Sequence, residues 1–142
     1  MTRIDFYVLD QPSRDQHDRL ICQIVEKAWK TGHKLYIRCA DATQVHGFDE
    51  LLWTFKDTSF LPHAVDKDAN QEPIVVGVDG EQAVGDRVLV NMAHEVPDFF
   101  SRFERIVESA GFDEVSRAAA RAKYKFYKTR GFALETHRIG AR

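Results

Sequence analysis

The sequence predicts an α/β domain in three layers, α/β/α, built on a largely parallel sheet. Two observations predict it. Short runs rich in β-branched and aromatic residues alternate along the chain with longer stretches of helical period. The short runs are also continuously apolar instead of alternating, as strands covered on both faces are. The 142 residues, 44% of them hydrophobic, give one domain spanning 1–142 with a core too apolar for a disordered chain. No apolar run approaches the roughly 18 residues that a membrane span needs, so no membrane association is expected.

Residues 4–9 read as a buried strand that stops at Asp10-Gln11-Pro12. After Ser13, apolar residues recur as Leu20, Ile21, Ile24, Val25, Ala28 and Trp29, a helical stripe that closes at Gly32. Residues 34–39 form the next strand. Asp41 and Gln44 have the spacing of a capping box and open a second helix, whose inward stripe is Val45, Phe48, Leu52 and Phe55. Residues 56–72 carry no period and read as the longest loop. Strands follow at 74–78 and 87–92, a short helix at 97–103, a strand at 105–108 and a long helix at 113–129 ended by Gly131. A last edge strand is expected at 132–136.

A sheet of this kind invites a nucleotide, yet the turn after the first strand contains no glycine, and neither a G-x-G-x-x-G nor a G-x-x-x-x-G-K-[ST] motif occurs. No two of the six histidines lie three to five residues apart, there is no C-x-x-C, and no metal is expected. Ser59 and Cys39 lack the surroundings of catalytic nucleophiles, and Asp49 and Glu50 point about 100° apart on a helix. With no cofactor motif and no recognisable catalytic set, the chain reads as a binding module and not an enzyme. Two cysteines, Cys22 and Cys39, suit buried thiols in a reducing cytosol, and the opening residues lack an export signal, so a cytoplasmic location is expected.

Two surfaces stand out. Residues 116–130 hold six basic side chains (Arg117, Arg121, Lys123, Lys125, Lys128 and Arg130) and no acid, which leaves −8 on the rest of a chain whose net charge is −2. Projected on a helix, Arg117, Arg121, Tyr124 and Lys128 share a sector of about 60°, opposite Val115, Ala118, Ala119, Ala122 and Phe126. The helix is therefore expected to pack by its alanines and to show solvent a cationic, aromatic stripe without a glutamate or aspartate at i+4. Such a stripe suits carboxylates beside an apolar side chain. The second surface is Trp53 with Phe60 and Leu61, a composition typical of protein interfaces.

Four blocks occur in order along the chain: Phe6-Tyr7-Val8-Leu9-Asp10, then Asp49-Glu50-Leu51-Leu52-Trp53, then Ser59-Phe60-Leu61-Pro62-His63, and a long block from Ala118 through Tyr127 to Gly131 and Phe132. In sequence and at this total length they resemble the chi subunit family of bacterial DNA polymerase III. The resemblance implies a non-catalytic accessory protein of the clamp-loader complex, with a fold similar to nucleotide-binding proteins but no nucleotide. It implies that Arg117, Arg121, Tyr124 and Lys125, with Lys128 beside them, hold the acidic C-terminal tail of single-stranded DNA-binding protein. It also implies that Trp53 and Phe60, with Leu61, dock the psi subunit or a helicase partner. The segment 72–84 matches no pattern of the family. Little direct binding to nucleic acid is expected, because the −8 of the body repels phosphate. The rival readings of the residues are a nucleic-acid binder using the same basic helix and a nucleotide-dependent enzyme with an unfamiliar site.

Overall fold

The computed structural model describes residues 2–10, 13–54, 61–65, 72–80 and 87–140. Within them β1 (Arg3–Leu9), β2 (Lys34–Arg38), β3 (His63–Val65), β4 (Ile74–Gly77), β5 (Arg87–Asn91), β6 (Arg105–Ser109) and β7 (Ala133–Ile139) make one sheet in the order β3-β4-β2-β5-β6-β1-β7. Every pairing is parallel. This is the three-layer α/β arrangement expected from the unbroken apolar strands, and β4 and β5 are indeed buried along their whole length. Helices α1 (Arg14–Lys30) and α2 (Ala42–Thr54) cover one face through Ile21, Cys22, Val25, Val45, Phe48 and Leu52. Helix α3 (Glu114–Thr129) and a 3-10 turn at Phe100–Arg102 cover the other through Ala120, Tyr127, Phe100 and Phe103.

The ends of the helices obey their local sequence. Ser13 accepts from the Gln16 amide at 3.2 Å, and Asp113 accepts from the Ser116 amide at 2.8 Å. Asp41 accepts from the Gln44 amide, while the Gln44 side chain turns back to accept from the Ala40 amide, one residue earlier than in a standard capping box. Helices α1 and α3 are followed by Gly32 and Gly131, both at positive φ, where a side chain is strained. Cys22 and Cys39 are buried thiols, and burial pushes both up to about 12, so neither is reactive near neutral pH.

The structure departs from the sequence expectation at three elements. A three-residue strand, β3, lies inside the stretch read as loop; it is too short to show a period and exists because β4 offers it an open edge. The helix expected at 97–103 shrinks to the single 3-10 turn. The largest departure is the rotation of α3. Val115 is 66% exposed, Ala118 and Ala122 are exposed, and the buried stripe is Ala120, Lys123 and Tyr127. Phe55 and Phe60, together with Ser59 and the charged stretch Asp66-Lys67-Asp68, lie outside the described residues.

Lys123 is the cause of that rotation. Its ammonium group donates to Glu108 Oε1 at 2.6 Å and to the Ala93 carbonyl at 2.9 Å, and all three residues are buried. The second carboxylate oxygen of Glu108 accepts from the Tyr127 hydroxyl at 2.7 Å and from Asn91 Nδ2 at 2.9 Å. Burial, and then the adjacent Glu108 charge, push the Tyr127 phenol up, so it remains a donor. A second buried carboxylate, Asp5, fastens the far side of the sheet. Arg105 Nε donates to it at 2.8 Å, His137 Nε2 bonds to it at 2.9 Å and Arg3 lies at 3.2 Å, which ties β6, β1 and β7 together. Burial alone would raise the Asp5 carboxyl, but the bonds from His137 and Arg105 and the charges of Arg105 and Arg3 outweigh it and hold it below its ordinary value.

Two expectations follow from these networks. Glu108→Ala leaves the Lys123 ammonium buried without its carboxylate, so chemical denaturation should show a loss of about 3–5 kcal/mol, whereas Glu108→Gln combined with Lys123→Met should recover much of it. A single variant as stable as wild type would contradict the role given to the pair. Because folding lowers the Asp5 carboxyl, its stabilisation is present above about pH 4 and is lost as the pH falls through the folded value. The stability of Asp5→Asn, followed by urea unfolding from pH 7 to pH 3, should therefore fall less steeply with acid than that of wild type.

Candidate functional site

The rotation of α3 turns one flank of the helix toward the edge of the sheet and opens a pocket there. Strand register sets its floor. Phe6 pairs with Thr136 and Val8 with Arg138, so these side chains share the face of β1 and β7 that α3 only half covers. Ala110 and Ala120 complete an apolar base, and Tyr124 stands edge-on to Phe6 with ring centres 5.3 Å apart. Arg117 and Arg121 rise from α3 on one side and Arg138 from β7 on the other. The cavity is about 350 Å³, near the lower end for ligand pockets, which suits one or two side chains more than a nucleotide. Among the described residues, three guanidinium groups and no carboxylate line it.

Of the five residues expected on the basic stripe, Arg117, Arg121 and Tyr124 come together in this pocket, while Lys125 and Lys128 are exposed on α3 outside its lining. Arg117 donates weakly to the Gly111 carbonyl at 3.4 Å. Arg121 does have a carboxylate nearby, although not at the i+4 position searched in the sequence: Glu114, seven residues earlier, accepts from it at 2.8 Å. Both side chains are largely exposed, so this pair exchanges readily for another anion. Two other members of the basic run are occupied elsewhere. Lys123 is in the buried network, and Arg130 lies over the Phe126 ring at 3.7 Å. Phe6 and Val8 stand in the first of the four family blocks but carry no expected role there, and Thr136 and Arg138 are not among the expected site residues. What brings them together is the pairing and register of β1 and β7, which the sequence does not show.

The second expected surface lies at the opposite end of the sheet, on the other face. Trp53, at the end of α2, is 54% exposed, with its ring 4.8 Å from that of His63. His63 is held by Asp49 at 3.0 Å and by the Leu61 carbonyl. Leu61 itself is 1% exposed and packs with Leu52 and Phe48 in the core, not on the surface where it was expected. An apolar residue following α2 gains more by covering the open end of the core than by facing water. Phe60 lies outside the described residues.

A larger cleft of about 500 Å³ opens at the carboxyl ends of β5 and β6, where parallel sheets receive ligands. Its charges are mixed, with Arg14 beside Asp18 and Glu50, and its polar groups already pair internally: His17 with Ser109 at 2.9 Å and His94 with Ser116 at 3.2 Å. The helix N-termini beside it are capped by Ser13 and Asp113, each of which occupies one amide of the first turn, and the Asp113 carboxylate puts negative charge where a phosphate would sit. Among the described residues, Asp5, Glu135 and His137 are close enough together to share a cation, but Arg3 and Arg105 already supply positive charge to Asp5. No helix among the described residues is long and apolar enough to cross a membrane.

Comparison with known proteins gives this architecture a family. The family model described as DNA polymerase III chi subunit, HolC, matches residues 1–135. The chain is 38% identical over 142 residues to the DNA polymerase III subunit chi of Pseudomonas aeruginosa, covering 98% of both chains. It is 28% identical over 138 residues to the subunit chi of Haemophilus influenzae, covering 95% of this chain and 96% of that one. It is 27% identical over 143 residues to the subunit chi of Escherichia coli, covering 96% and 97%. Matched along almost its whole length, the chain belongs to the DNA polymerase III chi subunit family, an accessory, non-catalytic part of the DNA polymerase III complex in DNA replication.

Proposed function

We propose that this protein is a replisome adaptor that binds the acidic C-terminal tail of single-stranded DNA-binding protein through the pocket between α3 and β7, and joins it to the clamp loader in the cytoplasm through a psi-like or helicase partner. The observation that carries this reading is the pocket's composition: an apolar floor of Phe6, Val8, Ala110 and Ala120 under three arginines and, among the described residues, no acid. A peptide tail that ends in an apolar residue presents an apolar side chain, a terminal carboxylate and acidic side chains at one point. The floor takes the first, and guanidinium groups take carboxylates through paired hydrogen bonds. Lys125 and Lys128, exposed on the same helix, add positive charge along the approach. The half-exposed Trp53 is the anchor of the second contact, because exposed tryptophan is the residue type that most often dominates an interface.

Arg121→Ala should weaken a tail peptide by about 1.5–3 kcal/mol in calorimetry, with the thermal unfolding midpoint little changed, because the side chain and its partner Glu114 are both largely exposed. Trp53→Ala, at the other end and on the other face of the sheet, should leave tail affinity as it is and weaken the psi-like or helicase partner. Loss of tail binding in a folded Trp53→Ala protein would show that the two surfaces act as one.

The acidic body argues against a polyanion as the ligand. Uncoated single-stranded DNA should bind poorly in fluorescence anisotropy at physiological salt, whereas DNA coated with its binding protein should recruit the chain. Nanomolar binding to bare oligonucleotide would turn the assignment to the nucleic-acid reading.

A further inference from the structure

We propose that Arg138, on the edge strand β7, is a further partner-binding residue of this pocket: it closes on the ligand's carboxylates from the wall opposite α3, and Asp10 competes with the ligand for it. The inference deepens the reading of the pocket as a peptide-tail site and rests on it. The position of Arg138 is set by register. Arg138 pairs with Val8 in the parallel ladder and faces the same way as Thr136 and Phe6, which puts it over the apolar floor on the side of the pocket away from Arg117 and Arg121.

Cations on two opposed walls differ in consequence from a stripe on one helix. A single cationic stripe holds any acidic polymer that slides along it, whereas guanidinium groups facing each other across an apolar floor select a chain end that fits between them. Arg138 is also less committed than Arg121, whose pair with Glu114 is 2.8 Å long. Its side chain is 73% exposed, and among the described residues it pairs with Asp10 at 3.7 Å, which is itself half exposed. A long-range, solvent-exposed pair of this kind contributes little, so Arg138 can leave Asp10 for a ligand carboxylate at small cost. Asp10 follows β1 immediately and its backbone amide donates to Ile139, so the competing carboxylate is kept at the mouth of the pocket by the same strand pair that forms the floor. The edge of the sheet thus carries both the grip and a weak internal substitute for the ligand.

The test uses the full chain and, as probe, a short synthetic peptide of aspartates ending in a phenylalanine with a free carboxylate, followed by calorimetry. Wild type should bind it and Arg121→Ala should bind it weakly; if neither binds, the reading of the pocket fails and this inference with it. With wild-type binding established, Arg138→Ala should weaken the peptide by about five- to tenfold, and Arg138→Lys should restore part of that loss. Asp10→Asn should tighten binding about two- to threefold in the wild-type background and have no effect when combined with Arg138→Ala. Circular dichroism should show an unchanged fold for each variant, because both side chains are largely in solvent. Wild-type affinity in a folded Arg138→Ala protein overturns the inference while leaving the pocket assignment intact. An Asp10→Asn effect of equal size in both backgrounds overturns the competition between Asp10 and the ligand.

Discussion

Glu108 sits fully buried near the end of a central strand and accepts hydrogen bonds from the Lys123 ammonium, the Tyr127 hydroxyl and the Asn91 amide. Two of those donors are on α3, four residues apart, so one carboxylate sets the rotation of the whole helix about its axis. A buried ion is tolerated only when paired and hydrogen-bonded, and α3 cannot turn without stripping Glu108 of its partners. The cationic pocket depends on that constraint. With Lys123 and Tyr127 facing the sheet, Arg117, Arg121 and Tyr124 fall on the flank of the helix beside β1 and β7, and the space between becomes a pocket. Rotated to bury its alanines, the same helix would carry its arginines out into solvent over no floor at all.

The second constraint is the all-parallel sheet. Parallel strands need cover on both faces, and the crossovers put α1 and α2 on one and α3 on the other. Among the described residues, three α-helices are too few to roof seven strands completely. The edge at β7, where exposed and half-buried residues succeed one another along the whole strand, is where the cover runs out. The pocket lies at that margin, where apolar side chains such as Phe6 and Val8 meet charged residues of the rim. The Asp5 network, with Arg105, His137 and Arg3, holds β7 against β1 so that this margin is a defined wall. Structural polar groups and binding polar groups are thus kept apart: the buried carboxylates fasten the frame, and the exposed guanidinium groups, only loosely paired, stay available.

The two candidate surfaces inherit this separation. Trp53 ends α2 at the β3 side of the sheet, and the cationic pocket lies at the β7 side on the opposite face. The proposed adaptor role calls for two contacts that do not obstruct one another, and opposite corners of a three-layer sandwich would provide them without any hinge. The larger cleft at the carboxyl ends of β5 and β6 occupies the usual ligand position of such folds, yet its histidines are satisfied by neighbouring serines and two of the helix starts beside it carry side-chain caps.

The sequence by itself determined the layers, the helix ends and the direction of the strands. Each depends on near neighbours: Ser13 and Asp113 cap the helices that follow them, Gly32 and Gly131 take the backbone past the ends of α1 and α3, and strands such as 74–77 are apolar at every position because both faces are covered. It also showed which helix is basic and that Arg121 and Tyr124 share one side of it. The tertiary structure alone decided which side of α3 is buried, because a lysine reads as a surface residue until its partner Glu108, fifteen positions away on another strand, is known. It alone decided that Leu61 is core, and that Phe6, Val8 and Arg138 belong to the pocket. Strand register joins Val8 to Arg138 across 130 positions, and no local pattern encodes a pairing that exists only once β7 has docked beside β1.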